Sequence, residues 1–448
     1  MKTICLYFEI HQNIHLKRYR FFDIGTDHYY YDDYENERSI TETAEKSYIP
    51  ALKTLIEMVR ESKGYFKCAL SISGTALELL EQYAPQVIEL LTELIGTGKV
   101  EVLAEPYAHS LSSLANEDSF RDEVQHLMDH LSTTFGVKPT ILRNSCLIYN
   151  DDIAQIIQSM GFKGVLTEGA KHILGWKSPH YVYQSAAAPK LKMLLRDYSL
   201  SEDISYRFAN PAWSAYPLFA DTYMDWIAAL PEEEQVIGLF MELCALGIFQ
   251  PLSSGILPFM KQLVNSAKER GITFSTPSEI LKTHKPVDSL AVGHPISWVD
   301  EERDISAWLG NDMQQEAFNK LYSVADKVRL LPDRRLRQDW DYLQATNNFR
   351  FMSTKSSATG GYRGIYDNAY DAFTNYMNII ADFITRVNSH FPDVENEELA
   401  SLMAAIRNQQ DELTRKDKEI EKLKNTVQHL QGGAPKPARA PRKKAAEK

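Results

Sequence analysis

Short apolar segments alternate with helix-like segments along the first 285 residues, and this alternation limits the fold more than any other feature. Strands that are apolar throughout and separated by helices pair in parallel, because helices then cover both faces of the sheet. Seven or eight such units over this length favour a closed barrel over an open sheet. We predict its strands near 3–10, 66–72, 99–104, 140–143, 163–167, 192–197, 236–241 and 272–275. Amphipathic helices are predicted between them, for example over 48–60, 75–96, 117–134 and 150–160.

The pattern changes after about residue 300, where strand-like segments give way to helical ones. Helices are predicted over 312–329, 333–345 and 367–392. The chain therefore divides into a barrel over residues 1–285 and a helical domain over 286–392 that packs on it.

The last part of the chain carries a different pattern. Residues 393–431 predict a coiled-coil helix, because apolar residues there follow a heptad spacing among charged ones. A homo-oligomer could form through 396–431, and the Pro-, Ala- and Lys/Arg-rich residues 432–448 predict a disordered basic tail. The predicted fold class is thus α/β, with a parallel (β/α)7-type barrel followed by an α-helical domain and a C-terminal coiled-coil segment.

Composition excludes several kinds of partner. The net charge of −11 argues against binding to nucleic acid or to an anionic membrane. The sequence has no run near the ~18 apolar residues of a membrane span, and its first residues are predicted to form a strand rather than a signal peptide. The four cysteines are far apart and form no CxxC pair, which argues against a disulfide or zinc framework. We expect a cytoplasmic protein with no cofactor and no metal.

Reactive groups of parallel barrels lie at the carboxyl ends of the strands and on the loops that follow. Cleavage of a sugar–sugar bond normally takes two carboxyl groups, which stand ~5–5.5 Å apart in retaining enzymes. Here the end of one strand offers Glu242, but the strand expected to face it offers Cys146. Further polar candidates at strand ends are His11, Gln12, Glu101, Glu105 and His109, and Trp213 and Trp298 are candidate platforms for sugar rings.

Three segments of the first half resemble motifs of the α-amylase-like members of glycoside hydrolase family 57. Tyr7-Phe8-Glu9-Ile10-His11-Gln12 is similar to the first motif, in which a His-Gln-Pro lines the glucose site, although Asn13 replaces the Pro. Gly98-Lys99-Val100-Glu101-Val102 is similar to the second, whose Glu contacts substrate. Arg143-Asn144-Ser145-Cys146-Leu147-Ile148-Tyr149 resembles the third, Arg-Asn-Thr-Glu-Leu-Ile-Tyr, so Cys146 stands where the family has its nucleophile.

The resemblance continues to about residue 390. Phe240-Met241-Glu242-Leu243-Cys244-Ala245-Leu246-Gly247 stands in place of Phe-Met-Asp-Tyr-Glu-Thr-Phe-Gly, so Glu242 replaces the acid/base Asp. Thr276-Pro277-Ser278-Glu279 fits the closing barrel motif, and Trp308-Leu309-Gly310-Asn311 is kept in the helical domain. Leu343-Gln344-Ala345-Thr346-Asn347-Asn348 departs from the Ser-Asp-His expected there. The resemblance implies an α-amylase-like protein that acts on or binds α-glucan such as starch, glycogen or maltooligosaccharide.

Both substitutions weaken the catalytic pair that the resemblance implies. Glu242 keeps an acid but lengthens its side chain by one methylene, and a misplacement near 1 Å can cost roughly a hundredfold in rate. A thiol at position 146 has a pKa near ~8.5, so it is mostly neutral at pH 7 and stabilises a developing oxocarbenium ion poorly. If it attacked, the sulfur-linked sugar would leave less readily than a glycosyl ester. We therefore predict that retaining hydrolysis is lost or strongly reduced.

Other functions stay open at this point. The chain could be an active α-glucan hydrolase or glucanotransferase with relocated catalytic groups. It could also be an interaction protein that acts through its coiled coil. A metal-dependent polysaccharide deacetylase on a related barrel is a further alternative, but the sequence lacks a convincing Asp-Asp and His set for it.

Overall fold

A computed structural model describes residues 1–355 and 364–391, together with isolated positions between 405 and 423. Met1–Val387 form one compact unit, so the predicted barrel and the helices that follow it belong together. The boundary predicted between residues 285 and 286 stays a prediction. The predicted coiled coil over 393–431 and the basic tail lie outside the described residues, apart from those isolated positions.

The strands of the described chain begin and end close to where the apolar segments predicted them. They are β1 (Thr3–Ile10), β2 (Cys68–Ile72), β3 (Val100–Leu103), β4 (Ile141–Arg143), β5 (Gly164–Glu168), β6 (Val182–Ser185), β7 (Lys192–Arg196), β8 (Val236–Glu242), β9 (Leu246–Gly247), β10 (Gln250–Pro251), β11 (Thr273–Phe274) and β12 (Ser289–Leu290).

Helices surround the sheet and continue after it. They are α1 (Asp33–Thr43), α2 (Ile49–Glu61), α3 (Gly74–Tyr83), α4 (Pro85–Gly96), α5 (Ser112–Ala115), α6 (Glu117–Phe135), α7 (Asp151–Ser159), α8 (Lys171–Leu174), α9 (Tyr198–Glu202), α10 (Ala220–Ala229), α11 (Ile256–Glu269), α12 (Pro277–Thr283), α13 (Ser306–Leu309), α14 (Asp312–Tyr322), α15 (Ala325–Leu330), α16 (Arg334–Leu343), α17 (Thr346–Arg350) and α18 (Ala369–Ser389). No helix of the described residues is both long and apolar enough to cross a membrane.

Seven parallel strands form a closed ring. The ladders run from β4 through β5, β7, β8, β1 and β2 to β3, and a parallel bridge between Ala104 and Leu142 joins β3 back to β4. The β7–β8 junction is narrow, because a Cβ on Gly238 would lie 2.1 Å from the carbonyl oxygen of Leu195. β6 runs antiparallel to β7 outside the ring. The predicted parallel α/β barrel with surrounding helices is therefore confirmed.

The alternation of side chains along each strand divides the core into two layers. On β1, Ile4, Leu6, Phe8 and Ile10 pack outward in the large core shared with the helices. Cys5 and Tyr7 instead belong to the smaller core inside the ring. The same alternation places the next odd-numbered residue, Glu9, on the inner face at the carboxyl end of the strand.

Candidate active site at the barrel mouth

A layer of polar side chains lies above the inner apolar core, at the carboxyl ends of the strands. Glu9 of β1 is in register with Glu242 of β8, so the two side chains rise from neighbouring strands on the same face. Ser71 of β2 donates a hydrogen bond to Glu105, which follows β3, at 2.8 Å. Arg143, the last residue of β4, completes this layer. Five strands of the ring thus contribute to one polar site.

Arg143 joins the acidic groups of this layer. Its Nη1 lies 2.7 Å from Glu9 Oε1 and 3.2 Å from Glu105 Oε2. The Arg143 side chain is completely buried, and its guanidinium lies over the ring of Trp298, 4.9 Å from the ring centroid. A buried charge of this kind is tolerated only with partners, so the two carboxyl groups and the arginine depend on each other.

Glu9, Glu105 and His109 are also a possible metal ligand set. One ligand atom from each lies within 4.8 Å of the others, and all three residues are buried. However, each of these atoms lies within 3.2 Å of Arg143 Nη1. The guanidinium therefore already supplies the positive charge at their centre, and this arrangement does not fit a cation as well.

Cys146 lies in the short turn Ser145–Leu147 between β4 and α7. Its backbone has left-handed dihedral angles, φ 51° and ψ 26°, which are uncommon for a residue with a Cβ. Its Sγ is 3.3 Å from Nε2 of His109, whose own φ is 52°. The backbone carbonyl of Cys146 accepts a hydrogen bond from the backbone N–H of Trp298 at 3.1 Å. These two unusual backbone positions bring a thiol and an imidazole into contact.

Burial controls the protonation of the acids in the site. Burial, followed by the nearby Glu9 carboxylate, raises the pKa of Glu242 to about 8. Burial likewise raises the pKa of Glu105 to about 8, although Arg143 opposes the rise. The pKa of Glu9 is also raised by burial. At neutral pH, Glu242 is therefore protonated and can donate a proton or a hydrogen bond.

Burial acts in the opposite direction on the imidazoles. It lowers the pKa of His11 to about 3 and holds that of His109 well below its usual range, and Arg143 adds to both effects. Burial raises the pKa of the Cys146 thiol, and the neighbouring Glu9 carboxylate adds to the rise. The site at neutral pH thus contains a thiol and neutral histidines.

Several buried polar atoms of the site lack a hydrogen-bond partner. These atoms are His11 Nε2, Glu105 Oε1, Arg143 Nε and Arg143 Nη2. Leaving such a group unpaired costs about 1–3 kcal/mol. Buried polar atoms in native proteins are seldom left unsatisfied, so their concentration here indicates a place where a polar ligand or ordered water completes the network.

The structure brings some of the predicted site residues together. Cys146, His109, Glu242 and Trp298 lie in or against the polar layer. His11 joins them by stacking on His109, with 4.2 Å between the ring centroids, and its Nδ1 is 2.9 Å from Ser73 Oγ.

Other predicted residues make contacts elsewhere. Both carboxylate oxygens of Glu101 accept hydrogen bonds from Ser278 at the start of α12. Gln12 donates to Ser39 Oγ of α1 at 2.5 Å. Trp213 packs edge-on against Trp226, with 6.3 Å between the ring centroids.

Two important residues were missed from the sequence. Glu9 lies inside a motif that was noticed for its histidine, and the alternation along β1 was the signal that could have found it. Glu123 of α6 is the second, because its carboxylate accepts hydrogen bonds from Ala108 N at 3.1 Å and Ser110 Oγ at 2.5 Å. These bonds hold the loop on both sides of His109. No local pattern distinguishes Glu123 from the other acids of α6.

The closed ring and the buried polar layer at its mouth define a parallel β/α-barrel protein with a candidate site at the carboxyl ends of its strands. The model of glycosyl hydrolase family 57 matches residues 5–293. A protein of Methanocaldococcus jannaschii named "Putative alpha-amylase" is 35% identical over 369 residues, which cover 79% of this chain and 78% of that protein. The chain belongs to glycosyl hydrolase family 57, which confirms the resemblance found in its motifs.

Solved structures agree on the fold. A branching enzyme of this family from Thermococcus kodakaraensis matches with a TM-score of 0.65 and 13% identity, over 90% of this chain and 94% of that one. A 4-alpha-glucanotransferase from Thermococcus litoralis matches with a TM-score of 0.62 and 13% identity. That match covers 85% of this chain but 59% of the glucanotransferase. At such identities these likenesses show the fold alone.

Proposed function

We propose that the barrel mouth binds α-glucan and that ordinary retaining hydrolysis is lost or strongly reduced. The observation that carries this proposal is the contact between Cys146 and His109 within a layer that also holds Glu242. A carboxylate at position 146 would serve as the nucleophile of a retaining glycosidase, and the protein offers a buried neutral thiol instead.

The names of the relatives and the groups that line the site both support α-glucan as the ligand. The relatives are named as an alpha-amylase, a branching enzyme and a 4-alpha-glucanotransferase, all of which concern α-linked glucose polymers. The unpaired polar atoms of Glu105, His11 and Arg143 suit a ligand that presents several hydroxyl groups. Trp298 and the exposed Tyr206–Phe249 pair, whose rings stack at 5.6 Å, add aromatic surface. A neutral sugar also fits an acidic protein.

Of the two catalytic positions that the family motifs imply, position 242 keeps a carboxyl group and position 146 does not. Glu242 is protonated at neutral pH, as a general acid must be before it donates to a leaving oxygen. Loss of activity is therefore assigned to position 146 rather than to position 242.

Glu9 favours a second candidate function, an active glycosidase with a relocated nucleophile. Its carboxyl rises beside Glu242 on the adjacent strand, and strands lie about 4.8 Å apart, close to the spacing of a retaining pair. Against this, Arg143 already engages Glu9 at 2.7 Å, and the Glu9 side chain is almost entirely buried. We therefore rank this function second.

Two measurements test the proposal. Calorimetry with maltooligosaccharides should show binding, while soluble starch incubated with the protein should release no reducing ends. The double variant Cys146→Glu with Glu242→Asp should gain starch cleavage, because it restores both carboxyls at their original lengths. Cleavage by the unchanged protein that is abolished by Glu9→Gln would overturn the inactive assignment and select the second candidate. Absence of any glucan binding would reject both.

The oligomeric state of the protein distinguishes these glucan-dependent functions from an interaction function through the predicted coiled coil. A stable oligomer that dissociates when residues 396–448 are deleted, in a protein that binds no glucan, would select it. The proposal also keeps a cytoplasmic location, which the four unpaired cysteines support.

A further inference from the structure

We propose that the barrel mouth recognises the non-reducing end of an α-glucan chain. The terminal glucose is enclosed beneath two segments that cross the mouth, and the rest of the chain leaves over Tyr206 and Phe249. The two segments are α17 (Thr346–Arg350) and residues 297–303, and we call them together the roof. This inference rests on the proposed α-glucan binding and adds which part of the chain is bound. Interior glucose units are excluded, because an interior unit needs an exit for the chain on both sides.

The first half of the roof, α17, is fixed to the loops that follow β1 and β3. The backbone N–H of Thr346 donates to the carbonyl of His109 at 3.1 Å. The neighbouring Asn347 donates from Nδ2 to Asn13 Oδ1 at 2.7 Å. Both partners are buried. Direct hydrogen bonds to buried residues leave no passage for a sugar chain between α17 and these two loops.

The second half of the roof, residues 297–303, covers the ends of β4 and β7. The backbone N–H of Trp298 donates to the carbonyl of Cys146, which follows β4, at 3.1 Å. The indole ring contacts two guanidinium groups, Arg143 at the end of β4 and Arg196 at the end of β7. Their distances from the ring centroid are 4.9 and 5.5 Å. Trp298 therefore closes the mouth on this side.

Ion pairs join the two halves of the roof and hold them on the barrel. Nη1 and Nη2 of Arg350 each donate to one carboxylate oxygen of Asp300 at 2.9 Å, which is the bidentate geometry that fixes both partners. Arg303 pairs with Glu202 of α9, the helix that follows β7. Arg350 also lies near enough to the Cys146 thiol to oppose the rise in its pKa that burial causes. The roof is thus fixed directly above the polar layer.

The order of the strands in the ring decides where a bound chain can leave. From β8, the ring passes through β7 and β5 to β4 in one direction, and through β1 and β2 to β3 in the other. The junction of β3 with β4 therefore lies opposite β8. The bonds of Thr346 to His109 and of Trp298 to Cys146 close the roof at this junction. A chain that enters over β8 cannot continue across the mouth.

The β8 side of the mouth carries aromatic surface instead of a seal. Glu242, the last residue of β8, is partly exposed. Tyr206 and Phe249 are 45% and 37% exposed, and their rings stack with 5.6 Å between centroids. Partial burial, followed by the Glu242 carboxylate, raises the pKa of the Tyr206 phenol, so its hydroxyl end lies toward the acid. Gln250 fixes the pair, because its Nε2 donates to the carbonyl of Ser205 at 2.7 Å.

The position of Glu242 assigns the direction of the chain. The acid of a glycosidase faces the oxygen between the enclosed sugar and the part of the chain that leaves. That outgoing part carries the reducing end, so the enclosed glucose is the non-reducing terminus. Its free hydroxyl groups include the 4-hydroxyl that an interior unit lacks. The buried unpaired atoms of His11, Glu105 and Arg143 suit such a hydroxyl-rich end.

Calorimetry on the full-length protein tests this inference with a set of related ligands. They are maltotetraose, methyl α-maltotetraoside with its reducing end blocked, maltotetraose with a 4,6-O-ethylidene cap on its non-reducing glucose, and α-cyclodextrin, which has no chain end. We expect equal affinity for the first two. The capped tetraose and the cyclodextrin should bind at least about tenfold more weakly, because the site cannot enclose them or pair with the missing 4-hydroxyl.

Each other result has a stated consequence. Equal affinity for maltotetraose and either the capped tetraose or the cyclodextrin would overturn end recognition. Tight binding of the capped tetraose with weak binding of the methyl glycoside would overturn the assigned direction. Both results leave glucan binding, and thus the proposed function, intact. Absence of binding by every ligand of the set would remove both.

A variant of the roof tests its part in the selection. Trp298→Ala removes the ring that closes the mouth opposite β8, so the affinity ratio between maltotetraose and the capped tetraose should fall toward one. The ratio cancels any contact that Trp298 makes with both ligands. Trp176→Ala, which removes a tryptophan that is 93% exposed outside the roof, should leave the ratio unchanged. A ratio that Trp298→Ala does not change would refute the role of the roof.

A variant of the exit tests the path of the chain. Phe249→Ala should weaken maltotetraose about tenfold, the effect of losing one aromatic contact. Glucose, measured by competition with maltotetraose, should lose little affinity, since it does not reach Phe249. The matched variant Phe22→Ala, in the loop after β1, should change neither affinity. Equal losses for glucose and maltotetraose in Phe249→Ala would contradict an exit over this pair.

Discussion

Replacement of Arg143 by methionine tests whether the arginine is what allows carboxylates to lie inside the barrel. Arg143 contacts Glu9 at 2.7 Å and Glu105 at 3.2 Å, and all three side chains are buried. Breaking a buried ion pair by removing one partner typically costs about 3–5 kcal/mol. We expect Arg143→Met to lower the free energy of unfolding by that amount at pH 8.

The stability lost in Arg143→Met should increase with pH. Removing the arginine takes away the charge that lowers the pKa of Glu9, so this pKa rises further above the ordinary value of 4.5 in the folded protein. Glu9 then stays protonated while the protein is folded. A group with a raised folded pKa contributes stability at low pH that is lost as pH rises. Each pH unit above the ordinary pKa costs about 1.4 kcal/mol, so the loss should grow by up to about 4 kcal/mol between pH 5 and pH 8.

Urea denaturation of the variant and the unchanged protein at pH 5 and pH 8 measures this difference. Arg143→Lys, which keeps a positive charge, should show a smaller pH dependence. Arg121→Met removes a partly exposed pair with Glu117 and should change stability by less than about 1 kcal/mol at either pH. A loss for Arg143→Met that is the same at both pH values would refute the reasoning, because a packing defect alone does not titrate.

Three further outcomes follow from the same contacts. Gly238→Ala should cost about 1–3 kcal/mol in thermal unfolding because its Cβ would meet Leu195, whereas Gly96→Ala, with no atom within 4 Å, should not destabilise. Starch cleavage by the Cys146→Glu variant should fall as pH rises through about 8, since Glu242 then loses the proton it must donate. Cleavage of α-glucosyl fluoride by the same variant should not fall there, because fluoride leaves without a proton, and a parallel decline would contradict the role of Glu242. Adding Glu123→Gln to the Cys146→Glu variant should slow starch cleavage while glucan affinity in calorimetry changes little, since Glu123 positions the loop that places His109 beside position 146.

Apolar patterning was sufficient to predict the ring of strands. Each of its seven members was predicted within a few residues, because a strand buried on both faces leaves a continuous apolar segment. β6 was missed because Val182–Ser185 is short and contains two polar residues. A strand outside the ring is not enclosed on both faces, so it need not be apolar throughout. The single helix predicted over 75–96 is two helices, since Pro85 cannot continue α3 and the preceding Ala84 takes non-helical angles of φ −141° and ψ 55°.

The site was harder to predict than the fold, because its contacts depend on the ring being closed. Motif comparison located Cys146 and Glu242, which come from strands on different sides of β1. It could not show that Arg143 would join Glu9 to Glu105, because those three residues are brought together by three separate strands. The contact between His109 and Cys146 depends on left-handed angles at both residues, and neither position carries a glycine that would signal them.

The electrostatics of the polar layer explain why a thiol is well accommodated at position 146. Glu9, Glu105 and Glu242 already share the layer, and Glu9 and Glu105 compete for Arg143 at contact distance. A fourth carboxylate would raise the pKa of its neighbours further, because like charges in a buried site oppose each other's ionisation. A neutral thiol removes that repulsion and gives up the charge that speeds release of the sugar. The Cys146→Glu variant should therefore be less stable at pH 8 than at pH 5, even where it recovers cleavage. If the Cys146→Glu variant cleaves starch and is as stable at pH 8 as at pH 5, another positive group must balance the added charge.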